Sequence, residues 1–267
     1  MCYTLAERSN FYLSFAIAQK EPTRSDFTDR YKFAADDSYP SSEKLYDWEL
    51  GYAYTAPRLS LGVNLYYMKY KDQLVPTGMV NDGDDALNVN VPDSYRRGVE
   101  LSASWRATGW FTVGANATFA QNRIENYVDA LKDSPTYGKE LGDRAIAYSP
   151  DVIANAFLDF HYRGFEAVLH TQYVGKQYFT NNENDALSLD AYCVTNLNLS
   201  YTFRTRAARS VRLGLSVNNL FNAEYESNGY GYSYMDTWSG PAPVRIDEAF
   251  YFPQAPLNVL ANVTVKF

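Results

Sequence analysis

The sequence predicts an all-β chain, an antiparallel up-and-down transmembrane barrel of outer-membrane type, present here as about ten strands and so as a partial barrel. Three observations carry that prediction. Segments of about ten residues alternate apolar and polar side chains along the whole of the 267 residues. The links between them are short and long by turns, and the polar face is too charged for a packed core.

The first segment, FYLSFAIA (11–18), sets Phe11, Leu13, Phe15 and Ile17 against Tyr12, Ser14, Ala16 and Ala18. With Arg8 ahead of it, this stretch imitates an export signal, but Glu7 is out of place in such a leader and Ser14 interrupts an already short apolar run. The alternation reads it as a strand, and the chain as a piece whose beginning lies elsewhere. KLYDWELGYAYT then opposes Tyr46, Trp48, Leu50, Tyr52 and Tyr54 to Asp47, Glu49, Gly51 and Ala53. Leu59 to Tyr67, Val99 to Trp105 and Phe111 to Phe119 continue the pattern, as do Ala154 to Tyr162 and Phe165 to Tyr173. Leu197 to Phe203, Val211 to Val217 and Leu257 to Phe267 complete it. Many of these exceed the five or six residues usual in soluble sheets.

Short turns fall at Ala56-Pro57, Ala107-Thr108-Gly109, Arg163-Gly164 and Arg204 to Arg209, and they collect arginines. Long links fall at 21–42, 72–94, 127–148, 181–188 and 222–248, with acidic runs at 81–85 and 181–185. A soluble β-sandwich or lipocalin-like barrel would show the same alternation with the apolar face turned inward. Lipid on that face is favoured by aromatics at strand ends (Tyr52, Tyr54, Tyr162, Phe165, Tyr201, Phe203) and by Asp47, Glu49, Glu100, Asp159, Glu166 and Arg212 on the other face. Strands of ten residues also fit a tilted span of the hydrocarbon layer.

Composition narrows the classes. Mean hydropathy is −0.39 and no run reaches the 18 or so apolar residues of a membrane helix. Tyrosine is abundant at 24 copies, as suits strands whose apolar bodies meet water. A net charge of −7 without a basic block argues against a nucleic-acid partner. Cys2 and Cys193 fit no zinc or redox spacing, and no metal or cofactor site is marked.

The segment VNNLFNAEYESNGY (217–230) with FPQAPLNVLANVTVKF (252–267) resembles the C-terminal signature of the TonB-dependent outer-membrane receptors. The stretches 11–29, 43–75 and YVGKQYFTNN (173–182) resemble that family's late barrel strands. The resemblance implies a barrel of roughly 22 strands around an N-terminal plug. Residues 1–267 would be its C-terminal portion, with the plug and first strands absent. It also implies residence in the bacterial outer membrane, contact with the lipid bilayer, the TonB complex acting through the missing plug, and uptake of an extracellular nutrient such as a ferric siderophore or haem. Short turns would then be periplasmic. Ten of 22 strands would leave two open edges, costly in lipid.

Within that expectation, Tyr225, Tyr230, Tyr232, Tyr234 and Trp238 form a substrate-loop candidate, with glycines giving a mobile surface that stacks on a planar ligand; packing against other loops accounts for them equally well. NNEND (181–185) is a second candidate, or simply a solvated loop. Asp47, Glu49, Glu100 and Arg212 are lumen- or plug-facing candidates. Phe267, the terminal aromatic, resembles the signal read by the barrel-assembly machinery. The chain is not expected to be an enzyme. An outer-membrane protease or lipase would need His161, which a two-residue turn sets opposite Glu166, but at the end away from external substrate. A passive porin is the other alternative.

Overall fold

The computed structural model describes residues 2–27, 39–80, 86–129 and 136–267. Strands β1 (Cys2–Ala6) and β2 (Ser9–Lys20) open an antiparallel wall. A single-turn helix α1 (Arg24–Phe27) follows, and then β3 (Glu43–Thr55), β4 (Leu59–Val80), β5 (Ala86–Arg106) and β6 (Phe111–Ile124), each paired with its predecessor. A two-residue strand β7 (Arg144–Ala145) leans on the end of β6, and β8 (Val152–Tyr162) takes the rest of that edge. After β9 (Phe165–Val174), a small pair is made by β10 (Gln177–Tyr178) and β11 (Ser188–Leu189). The wall resumes with β12 (Tyr192–Phe203) and β13 (Ser210–Asn218). A separate hairpin of β14 (Glu226–Asp236) and β15 (Val244–Pro253) precedes the closing strand β16 (Asn258–Lys266).

All ten expected strands are present in the order β1-β2-β3-β4-β5-β6-β8-β9-β12-β13-β16, with β1 an additional one. Its hairpin turns at Glu7 and Arg8. Among the described residues β1 and β16 are free edges that do not pair with each other, so the wall is a partial barrel.

Two expected long links are hairpins instead. The β4–β5 ladder continues past Lys71 and Asp93 through Pro76 and Asn88, so most of 72–94 rises as paired strand. Asp72, at φ 55°, marks where the pattern changes face: Tyr67 and Lys71 lie on the outer side, yet Gln73 and Val75 beyond it are buried. The link 222–248 contains most of the β14–β15 hairpin. The acidic run 81–85 lies outside the described residues.

The structure settles which face is apolar and open. Ile17, Leu50, Leu65, Leu101, Leu213 and Val263 stand exposed in columns on one side of the wall, with no second layer against them; in mid-wall Leu50, Leu65 and Leu101 are 47%, 44% and 40% exposed. A sandwich or lipocalin would bury these side chains, whereas a barrel in lipid presents them outward. Aromatics bound the columns at both ends. Toward the short turns lie Phe11 on Tyr52 (centroids 4.7 Å) and Trp110 on Phe160 (5.3 Å). Toward the long links runs a chain of Phe15, Trp48, Tyr67 and Tyr95 with spacings of 5.1, 5.8 and 6.3 Å. The outward rows turn polar at Arg97, which donates to Gln121 and lies over the Tyr95 ring, and beyond Tyr95 they are ionic, with Lys69 bonded to Glu125 and Asp93, and Lys71 to Asp93. Such a belt has the composition of a membrane–water interface.

The buried apolar cores sit beyond this belt. Val75, Val91, Ile124, Tyr127 and Ile146 form one cluster, and Phe179, Leu187 and Leu189 another. Within the wall, lumenal tyrosines lie over glycines of the next strand. A methyl group at Gly51 would stand 1.9 Å from a Tyr12 ring carbon, and one at Gly98 would stand 2.6 Å from the Tyr66 hydroxyl. Only glycine permits that approach.

Candidate functional site

Most of the aromatic stretch 225–238 is strand: Glu226–Asp236 pairs with Val244–Pro253, with one register shift between Glu226 and Asn228. Its glycines serve packing. A methyl at Gly229 would meet Phe179 Cζ at 2.7 Å, and one at Gly231 would meet Leu187 Cδ2 at 2.9 Å. One face of the hairpin therefore sits on the loop carrying Phe179, which is 1% exposed. That face also holds a polar knot. Ser233 Oγ donates to Asp247 (2.5 Å), and Arg245 donates to both Asp247 (2.9 Å) and Ser233 (3.0 Å). Burial opposes ionisation of Asp247, but hydrogen bonds from Ser233, Arg245 and Asn184 outweigh it and hold the carboxyl below its ordinary range.

The opposite face is exposed and aromatic. Tyr230 stacks on Phe250 at 4.9 Å and 14°, with Phe252 and Tyr232 alongside. Glu248 stands across from Tyr232 and accepts hydrogen bonds from the Tyr232 hydroxyl (2.7 Å) and the Tyr234 hydroxyl (3.2 Å). Both phenols are held above their ordinary pKa, first by the bond to Glu248, then by lost hydration and that carboxylate's charge.

The other two residues of this candidate lie apart. Tyr225, at the base, stacks on Tyr192 at 4.7 Å. Trp238, at the tip, is 94% exposed, and its backbone N–H donates to Asp236. Sequence reasoning missed Glu248, Phe250 and Phe252. Their signal was the alternation in EAFYF after the turn-forming SGPAP.

The NNEND stretch is structural. Asn181 is 1% exposed; it accepts from the Ala147 N–H (2.8 Å) and donates to the Pro76 carbonyl (2.5 Å). Glu183 accepts from the Ala145 N–H, Asn184 caps a 3-10 turn at Asp185–Leu187, and Lys176 pairs with Asp185 at 2.5 Å. These bonds fasten the loop over the ends of β4 and β7.

The four lumen candidates divide into two groups. Glu49 and Glu100 line one cleft of about 350 Å³ with Asn64, Tyr66 and Arg96, and Asn64 donates to Glu100 at 3.2 Å. Asp47, two residues from Glu49 on the same strand face, has a buried oxygen without a hydrogen-bond partner. Arg212 is strands away. It donates to Glu166 (2.8 Å), which also accepts from Ser200 (3.0 Å), beside a second cleft of about 260 Å³. His161 does oppose Glu166 in register, but that carboxylate is engaged by Arg212 and Ser200, while His161 Nδ1 lies 3.7 Å from Asp159. Phe267 lies beyond the last ladder pair and is 93% exposed.

An open antiparallel wall with an apolar outside, a charged inside and folded caps at one end is the architecture of an outer-membrane receptor barrel. Residues 3–220, over four-fifths of the chain, match the family model described as TonB dependent receptor-like, beta-barrel. The chain belongs to that family, whose members are bacterial outer-membrane proteins. The pesticin receptor of Yersinia enterocolitica is 26% identical over 190 residues, covering 71% of this chain and 26% of the relative. Among solved structures, the ferric yersiniabactin uptake receptor FyuA from Yersinia pestis superposes with a TM-score of 0.68 at 20% identity, over 100% of this chain and 36% of that one. The copper transporter OprC gives a TM-score of 0.70 at 20% identity, over 98% and 38%. At such identities these structures share the fold. The chain thus spans about a quarter of the curated relative's length. The relatives are receptors and transporters, so the hydrolase reading of His161 is set aside.

Proposed function

We propose that this chain is the C-terminal part of a TonB-dependent receptor barrel that takes up a scarce nutrient, a ferric siderophore or haem first among them. The observation that carries the reading is the family match over residues 3–220. Two free edges, β1 and β16, support further strands on either side, and a plug domain would fill the lumen beside Asp47, Glu49 and Glu100, with Arg212 on the far wall. The plug would transmit the pull of TonB, and the aromatic hairpin would meet ligand outside. Several solved neighbours are named for iron-chelate uptake, the ferric-catecholate import receptor Fiu from K12 E. coli among them.

In iron-starved cells carrying the receptor that contains this chain, siderophore-bound iron uptake is expected to stop when TonB is removed. It is expected to fall several-fold when 228–238 is deleted. Flux that persists without TonB would make the protein a passive pore and end this reading.

Phe267 serves assembly in the same proposal. It follows the free-edge strand β16, and deleting it is expected to lower insertion by the barrel-assembly machinery in cells. Normal insertion of the truncated chain would refute that role.

A further inference from the structure

The aromatic face of the β14–β15 hairpin carries a charge pattern that selects among ligands. Glu248 stands in the middle of it, flanked by Tyr230, Tyr232, Tyr234 and Phe250. Its carboxylate receives two phenol hydrogen bonds, which fix its position and leave its negative charge uncancelled. Among the described residues of the hairpin, no lysine or arginine shares this face. The one cation of 224–253, Arg245, is turned to the other side and tied to Asp247 and Ser233, whereas Glu224, Glu226, Asp236, Asp247 and Glu248 are all acidic. The rings are displayed as well: Tyr230, Tyr234, Phe250 and Phe252 are each exposed.

An aromatic surface with a fixed carboxylate at its centre attracts cations twice over. The ring faces present negative quadrupole, and the carboxylate supplies a full charge. A planar anion would gain the stacking but meet repulsion at Glu248. We infer that this face binds a small organic cation, a protonated or quaternary amine attached to a flat or alkylated body, with Glu248 as the charge-selecting residue. The inference rests on the uptake reading and narrows it: a nutrient meets this face through a positive group, not through a carboxylate edge.

Two fluorescent probes with ring systems of the same shape and opposite charge, N-methylquinolinium and naphthalenesulfonate, test this on the receptor that contains this chain, solubilised in non-ionic detergent. The cation is expected to bind about tenfold more tightly than the anion. Glu248→Gln is expected to abolish the difference, and Phe250→Leu to weaken both. Glu224→Gln, at the hairpin's base, is expected to change neither, which separates a placed carboxylate from the general acidity of the segment. Equal binding of the two ions by the unaltered receptor, a preference that survives in Glu248→Gln, or no binding of the cation overturns the inference. The unaltered receptor decides the first and third outcomes even if a variant disturbs the hairpin. The receptor reading fails on a different result, TonB-independent flux.

Discussion

Replacing Phe179 by alanine is expected to release the β14–β15 hairpin from the loop beneath it, at a cost of about 3–5 kcal/mol. Phe179 is the centre of the upper core. It is 1% exposed, it packs with Leu187 and Leu189 in one cluster, and its ring lies 5.8 Å from both Tyr148 and Tyr251. Gly229 and Gly231 carry no side chain to fill the space it would leave, so the cavity collapses poorly and the loss approaches the upper end of that range. The effect should be local. β14 and β15 pair as strands only with each other, and besides the loop beneath them only β14 touches the wall directly, at β4. Amide exchange is therefore expected to accelerate at 229–235 and stay slow in β2 to β6. If protection at 229–235 survives, the hairpin is held by the Asp247, Ser233 and Arg245 knot rather than by apolar contact.

The wall was legible because a barrel strand states its two faces in alternate letters. Ala154 to Tyr162 and Phe165 to Tyr173 could be read directly, and they pair in the expected register. Alternation is symmetric, however, so it could not say whether lipid or a second sheet covers Leu101 and Val263; that required seeing the apolar columns without a layer against them. Beyond the aromatic belt nearest the long links the code fails for a physical reason. Pro76 and Gly78 imitate a loop, and the change of face at Asp72 shifts the phase of the pattern while the ladder runs on. Glu49 and Glu100 could be assigned to one face and do share a cleft, but Arg212 was grouped with them only because sequence gives a face and no position around the wall. In the candidate site, tyrosine density exposed one strand of the hairpin. The other strand carries Glu248 and Phe250, and their significance arises from cross-strand register, a long-range property.

Leu101→Arg is expected to destabilise the protein in a bilayer by roughly 2–4 kcal/mol, whereas Glu100→Ala, one residue away, should cost about 1 kcal/mol or less. Leu101 lies across from Val63 on one side and Ala117 on the other, midway along an outward row that runs from Trp105 to Arg97. If that row faces hydrocarbon, a guanidinium at its middle is far from either headgroup region and keeps only part of its hydration. Glu100 points to the lumen, where water replaces the Asn64 hydrogen bond once the carboxylate is gone. The contrast separates lipid from protein as the cover of the apolar face. Equilibrium urea unfolding in vesicles should show the large difference, and it should shrink in short-chain detergent micelles, which rearrange around a charge more readily than a bilayer does. A penalty for Leu101→Arg that is the same in both media would place a fixed protein layer over this face, and with it a soluble fold. A penalty that follows the thickness of the bilayer would tie the columns between the two aromatic belts to the hydrocarbon layer itself.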